Sequence, residues 1–253
     1  MDYINPPAES PQHVTHKTFY SRLFDHELGY NIYLPPDYED GDEKYPVAYH
    51  LHGWTGSESS HIWTLEHVYK SRRAITVFPN NSPVIEDREN LPVEAMFTGE
   101  LIPHIDGGYR TDAARESRSV SGMSMRGGAA LYYAVKYPEL FSSVTAYAGT
   151  FHHYIHPDYC GREGAIGAPM EKAAGIYENI MKEAKYFEEN GIFYVIKQNA
   201  DKIRGKLHIQ LHIGTADIIC CDSAVLHLYL DSLDIPHEYK IFEGIGHELD
   251  KIL

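Results

Sequence analysis

"SVSGMSMRGGAALYY", residues 119–133, decides how the chain is read. An apolar strand runs into Gly122-Met123-Ser124-Met125, and a helix of small residues follows at once. In such a strand–turn–helix, the serine stands above the strand end and the first N–H groups of the helix point at the same spot. The motif ordinarily closes on a glycine two residues after the serine; here that residue is Arg126. Ser124 is thus a candidate nucleophile in an incomplete motif. A hydroxyl alone is a weak nucleophile, so a base must sit beside it.

Working outward, strands and helices alternate. Residues 16–35 read as two strands with a turn near Gly29, and 45–53 and 74–80 as strands on either side of a helically spaced stretch at 60–71. A short helix is expected at 100–109, a strand at 117–122, the small-residue helix up to Pro138 and a strand at 141–149. The last elements are a strand at 207–217, a helix at 223–233 and a strand at 238–247. The strands read as continuous apolar runs, which predicts an α/β fold with a mostly parallel central sheet and helices on both faces. Residues 150–205 break the alternation: a His-rich piece precedes a charged helical stretch at 170–190. They are expected to form a cap-like insertion over the strand C-terminal ends, where ligands bind in such sheets, within one domain spanning 1–253.

Two strand ends supply what Ser124 lacks. "GTAD" ends at Asp217, placed to orient a histidine, and "EGIGH" ends at His247, placed to act as base. Asp217 also suits a helix N-cap, His247 is one of 16 histidines, and Asp222 is the competing acid. An oxyanion site needs two backbone N–H donors. Met125, directly after the serine, supplies one, and Trp54 in "LHGWTG" (51–56) the other, with Gly53 letting the backbone pass close. His52 is expected to hold that loop from below.

Together "YNIYLPPDY" (30–38), "YPVAYHLHG" (45–53), residues 99–125, "GTAD" and "GIGHE" resemble the esterase-D-like α/β-hydrolases. Within them the resemblance is to carbohydrate esterase family one, which holds feruloyl, acetylxylan and enterochelin-esterase-like enzymes. It covers roughly residues 16 to 248 and is weakest over 150–205. It implies a Ser124–Asp217–His247 triad, ester hydrolysis, and no metal or cofactor. The sequence departs from the family in two places. Arg126-Gly127 stands where Gly-Gly is usual, and only six residues follow His247, where relatives continue into a longer helix. A buried arginine needs a carboxylate; Glu100 is the preferred partner, ahead of Asp106, Asp112 and Glu116, with a side chain reaching solvent as the alternative.

Composition bounds the rest. Apolar residues make up 43% of 253, enough for a sizeable core, and the charge sum is −14. Nucleic-acid and membrane partners, which need basic surface, are not expected; the expected partner is a small-molecule or oligosaccharide ester. "MDYINPPAESPQ" lacks the basic and apolar segments of a signal peptide. Taken as it stands, it suggests a cytoplasmic protein, or a secreted one if a leader precedes it. Cys160, Cys220 and Cys221 do not suggest a disulfide framework, and the adjacent pair is expected as small buried hydrophobes. His152, His153, His156 and Cys160 lack zinc-ligand spacing and are expected to line the pocket, with His153 and Phe97 touching substrate. The expected activity is serine ester hydrolysis, most readily of feruloyl esters of plant cell-wall polysaccharide. The alternatives are an acetylxylan esterase, a small-metabolite esterase acting on S-formylglutathione or a siderophore ester, or a non-catalytic sugar-binding relative.

Overall fold

The computed structural model describes residues 3–80, 92–151 and 191–253. One eight-stranded sheet runs through them in the order β1-β2-β4-β3-β5-β6-β7-β8. The strands are β1 (Val14–Ser21), β2 (His26–Tyr33), β3 (Val47–Leu51), β4 (Ile75–Pro79), β5 (Arg118–Met123), β6 (Ser143–Tyr147), β7 (His208–Gly214) and β8 (Glu238–Phe242). β1 and β2 pair antiparallel, β2 joins β4 antiparallel, and every pair from β4 onward is parallel. This is the α/β-hydrolase fold. The helices are α1 (Glu66–Lys70), α2 (Val93–Met96), α3 (Ile102–Gly108), α4 (Met125–Lys136), α5 (Ile192–Ile203) and α6 (Cys220–Ser232). A π-helical turn, Phe97–Leu101, joins α2 to α3. Among the described residues, no helix is long and apolar enough to cross a membrane.

The two sheet faces differ. Val47, Tyr49 and Leu51 of β3, Val120 of β5 and Leu211 of β7 point into the main core, where α2 to α6 contribute Met96, Ile105, Leu131, Ile196 and Leu226. Each such buried side chain contributes roughly 1.5–3 kcal/mol. The other face carries a smaller cluster under α1, with Tyr33, Leu65, Tyr69, Phe78, Met123 and Tyr147. Continuous burial holds for β4 and for β2 after its first two residues, but not for β5, β6 and β7. There Ser119, Ser121, Ser143, Thr145 and Gln210 alternate with buried residues and stay half-exposed. Alternation of this kind marks a face that is not fully packed.

Four local expectations are corrected. The β1–β2 turn falls at residues 22–25, with Asp25 at φ 54°, not at Gly29. Gly29 pairs with Thr18 within the sheet, and an added Cβ would lie 2.2 Å from the Glu58 carboxylate. At 60–71 only Glu66–Lys70 is helical. Residues 192–203, counted in the expected insertion, instead form α5 of the main fold. α5 buries Ile192, Phe193, Val195, Ile196 and Ile203 in the main core, because its apolar residues recur at helical spacing. Residues 152–190, with His152, His153, His156 and Cys160, lie outside the described residues. Cys220 is half-buried and Cys221 exposed, because both sit in the first turn of α6, and neither is a core residue.

α4 lies very close to the sheet. A Cβ on Gly128 would come within 2.2 Å of the Thr150 carbonyl oxygen, whereas a Cβ on Gly99 would meet nothing within 4 Å. Gly128→Ala should therefore cost about 1–3 kcal/mol, a fall of roughly 3–10 °C in Tm for a chain this long. Gly99→Ala should leave Tm unchanged or slightly raised. Thermal unfolding of both variants checks this, and equal midpoints would contradict the packing.

Candidate active site

The sheet register sets the site. Leu51 of β3 pairs with Gly122 of β5, Met123 with Tyr147 of β6, and Gly214 of β7 with Phe242 of β8. The loops that follow these strands therefore leave from one edge of the sheet. They carry Trp54, Ser124, Asp217 and His247.

Ser124 occupies the turn between β5 and α4 with φ 58° and ψ −127°. A non-glycine residue there is strained and persists only where its surroundings hold it. Its N–H donates to the Tyr147 carbonyl at 2.9 Å, and its carbonyl accepts from Gly127, Gly128 and Thr150 at 2.9, 3.2 and 3.1 Å. The backbone is thus fixed on both sides while the side chain stays half-exposed. Met125 is the first residue of α4, so its N–H belongs to the helix end that has no carbonyl partner within the helix.

The position of Arg126 explains why the elbow tolerates it. Crowding falls on its neighbours: a Cβ on Gly122 would lie 2.2 Å from the Arg126 carbonyl oxygen. A Cβ on Gly127 would lie 3.0 Å from Gly122 and Tyr147 carbonyl oxygens and from the Gly149 Cα. Glycine is needed at 122, 127 and 128, while a side chain at 126 is accommodated. Arg126 is only 2% exposed, so it does not reach solvent. Glu100 bonds elsewhere, accepting from the Ser21 hydroxyl and from the Arg22 and Leu23 N–H groups in the β1–β2 turn. Asp106 holds Arg118 at 2.6 Å, and Asp112 takes the Ser117 hydroxyl and the Ala114 N–H.

Asp217 and His247 meet. The His247 Nδ1–H donates to Asp217 Oδ2 at 2.7 Å, and the Ile219 N–H donates to Oδ1 at 3.0 Å. Asp217 therefore orients the histidine and also ties down the backbone just before α6. Its side chain is fully buried, while that of His247 is 35% exposed. The loop bearing His247 is tied down despite the short sequence after it. Thr215 N–H bonds the Phe242 carbonyl and Ala216 N–H the Ile245 carbonyl, both at 3.0 Å, and Gly244 N–H bonds the Thr215 hydroxyl at 2.8 Å. Gly214 makes the crossing possible, since a Cβ there would lie 2.0 Å from the Ile245 carbonyl oxygen. Beyond it, Leu249 and Ile252 are buried, and buried His212 donates its Nδ1–H to the Ile252 carbonyl at 2.7 Å.

The loop after β3 is supported from beneath. His52 donates its Nδ1–H to the Gly53 carbonyl at 2.8 Å, which also accepts the Gly56 N–H at 3.1 Å. Gly53 lies against Ser124: an added Cβ would stand 3.4 Å from the serine Cβ. Trp54 is half-buried in this loop. Phe97, expected at the substrate, is instead fully buried, packed between Tyr49, Tyr133 and Phe141 in the core. The π-turn points it inward, so it is a core residue. His153 lies outside the described residues.

Two features were not expected. Glu58, 1% exposed, takes the Asn5 N–H and contacts His16 Nε2 at 3.1 Å. Its own carbonyl receives the Asn31 amide at 3.0 Å, so the loop after β3 is anchored to β1 and β2. Under α1, the Ser121 hydroxyl donates to the Tyr49 carbonyl at 3.3 Å and so accepts the His50 Nδ1–H at 2.9 Å, which leaves His50 Nε2 to accept the His61 Nδ1–H at 2.8 Å. These two histidines have an ordered direction only when neutral. His50 and Ser121 line a cavity of about 390 Å³ on the α1 face that does not include Ser124, Asp217 or His247. The one cluster of three metal-ligating side chains found among the described residues, His227, Asp231 and His237, is not at Ser124.

A model of the family described as "Putative esterase" matches residues 21–244. Among curated proteins, Esterase Rv1288 of Mycobacterium tuberculosis is 30% identical over 131 residues, which is 48% of this chain. The chain spans about 29% of that relative's length. A solved ferulic acid esterase superposes with a TM-score of 0.77 at 21% identity, covering 94% of this chain and 91% of its own. An S-formylglutathione hydrolase from Staphylococcus aureus does so with a TM-score of 0.74 at 16% identity, covering 94% of each chain. At these identities the two solved structures show a shared fold.

Burial holds three histidines neutral near the loop after β3. It pushes His52 and His61 down to about 4 and holds His50 well below the usual imidazole range, with the neighbouring histidine charges acting in the same direction on His50. In the unfolded chain these groups take up protons near pH 6.5. The folded chain does not, so stability is full above that pH and declines as pH falls towards 4. Each of the two groups near 4 contributes on the order of 3 kcal/mol over the whole window. Urea unfolding at about pH 7 and about pH 5 should show a clear loss at the lower pH. His52→Asn should make the slope shallower; a parent equally stable at both would contradict the assignment.

Proposed function

We propose, since this chain belongs to the esterase family, that it hydrolyses carboxylic esters through a covalent acyl-serine intermediate. The observation that carries this reading is the strained turn at Ser124, whose backbone is bonded on both sides while the hydroxyl side stays accessible. Strain of that kind is kept where positioning matters, and the Asp217–His247 pair stands at the same sheet edge.

In the proposed reaction the Ser124 hydroxyl attacks the ester carbonyl carbon while His247 Nε2 accepts its proton. The Nδ1–H to Asp217 bond fixes the tautomer that leaves Nε2 free to do so, and the carboxylate stabilises the imidazolium that forms. Met125 and Trp54 N–H groups donate to the oxyanion; each such donor lowers the barrier by roughly 3 kcal/mol. The positive end of α4 adds to the same field. His247 then gives the proton to the leaving alcohol, the acyl-serine forms, and a water molecule activated by His247 releases the acid.

For the acyl group we favour a hydroxycinnamoyl ester such as feruloyl, supported by the ferulic acid esterase that shares this fold. Trp54 offers a flat apolar surface beside Ser124 for such a ring. The S-formylglutathione hydrolase of the same fold keeps a small thioester or ester in view.

Ser124→Ala should abolish labelling by a fluorophosphonate and reduce hydrolysis by about 10⁴-fold or more. Asp217→Asn should lower kcat by about 10⁴ with little change in fold, because the amide selects the wrong imidazole tautomer. Retention of activity within about tenfold by Ser124→Ala would overturn the mechanism. A panel of methyl ferulate, acetylated xylan, short p-nitrophenyl esters and S-formylglutathione assigns the acyl group. The highest kcat/KM on methyl ferulate is expected, and preference for another member replaces the feruloyl reading. A parent that neither reacts with the probe nor turns over any of them would be a non-catalytic relative.

A further inference from the structure

The other end of the α6–β8 unit holds a second set of chemically competent side chains. His227 and Asp231 lie one turn apart on α6, and His237 lies in the connection just before β8. One donor atom from each falls within 4.8 Å of the others. His227 Nδ1 is 2.8 Å from His237 Nε2, and His227 Nε2 is 3.5 Å from Asp231 Oδ2.

The rings are oriented before any ligand arrives. His237 Nδ1 is 2.9 Å from the Ile235 carbonyl. A carbonyl only accepts, so Nδ1 carries the proton and Nε2 presents its lone pair towards His227. Ligating histidines are characteristically held this way, with the second ring N–H on a carbonyl or carboxylate. The His227 ring stacks on Tyr239 at 4.5 Å with an interplanar angle of 20°. The chain between them is fixed too. Asp234 adopts φ 51°, its N–H bonds the Asp231 carbonyl, and buried Ile235 bonds the Leu230 carbonyl, both at 3.0 Å.

We propose that His227 Nδ1 and His237 Nε2 hold a borderline divalent transition ion of the zinc type, with Asp231 set against the other His227 nitrogen to take its N–H. Imidazole nitrogens suit zinc, and also nickel or copper, while calcium and magnesium want oxygen ligands. Zinc–nitrogen bonds of about 2.0–2.1 Å in a tetrahedral shell put the two nitrogens about 3.3 Å apart. The imidazoles therefore separate by about half an ångström when the ion replaces the proton between them. The site is half-exposed, so water can complete the shell. The ion would join the C-terminal half of α6 to the start of β8. Asp217 and His247 flank the opposite ends of these same two elements. The inference does not depend on the esterase reading.

The test uses the full chain, stripped with a chelator and then given zinc. Equilibrium dialysis should show one more zinc per chain in the parent than in His237→Ala or in His227→Gln. That difference removes any contribution from other histidines, including His152, His153 and His156. Zinc at about a hundredfold excess over Kd should raise the parent's Tm by roughly 5–10 °C. The shift should be lost in both variants, whose metal-free unfolding curves confirm that they fold. Asp231→Asn should weaken binding by roughly tenfold or more. Equal zinc stoichiometry and equal Tm shift in the parent and both histidine variants would overturn the site. Unchanged affinity in Asp231→Asn would overturn the part given to Asp231.

Discussion

The structure around the site depends on one constraint, the left-handed turn at Ser124. L-residues avoid φ 58°, and the turn exists because β5, α4 and the end of β6 close on it from three sides. That closure requires backbone to touch backbone. Gly122 passes against the Arg126 carbonyl, Gly127 against Gly122 and Gly149, and Gly128 against Thr150. These contacts leave no room for a Cβ, and together they hold a serine where its hydroxyl faces away from the packed interior. α4 begins at the next residue, so a single local geometry supplies both the serine and the positive end of a helix dipole.

A parallel solution appears at Asp217 and His247. Asp217 and His247 belong to loops after neighbouring parallel strands, and parallel pairing alone leaves their separation undefined. Gly214 settles it by letting the Ile245 carbonyl cross directly above β7. Three hydrogen bonds then lock the two loops together, and the 2.7 Å contact between the side chains follows from that lock. The Asp217 carboxylate is buried away from water and accepts the Ile219 N–H, while the His247 ring stays partly exposed.

Much of this was legible in the sequence, because the relevant features are local or ordered along the chain. Ser124 between an apolar strand and a small-residue helix, Asp217 and His247 at strand ends, and glycine at 53 each carry their signal within a few residues. What was not legible depends on long-range contact. The turn at 22–25 was misplaced because Gly29 looks like a turn residue, yet it is small to admit Glu58 from a distant loop. Phe97 looked like a loop aromatic, but the π-turn rotates it into the core beside Tyr49 and Phe141. Counted as apolar runs, β5 to β7 hid the alternation of Ser119, Ser121, Thr145 and Gln210, which distinguishes the two sheet faces. The pairing of His227 with His237 needs a helix end and a left-handed turn to bring them together, and their spacing alone announces neither.

Arg126 changes meaning under the same reasoning. A cation in the first turn of a helix opposes the helix dipole, at a cost of about 0.3–1 kcal/mol, and here it is buried as well. Its charge falls on His52. Burial is the main reason that His52 resists protonation, and Arg126 pushes in the same direction. A neutral His52 has one ring N–H, and that N–H holds the Gly53 carbonyl. Protonation would place a second positive charge beside the Arg126 cation in a buried site, which is costly in so dry a place. The arginine that makes the serine motif look defective thus helps fix the state of the histidine beneath the neighbouring loop. The elbow and the loop carrying Trp54 are linked electrostatically as well as by the close approach of Gly53 to Ser124. A glycine at 126 would preserve the turn geometry but would remove that link.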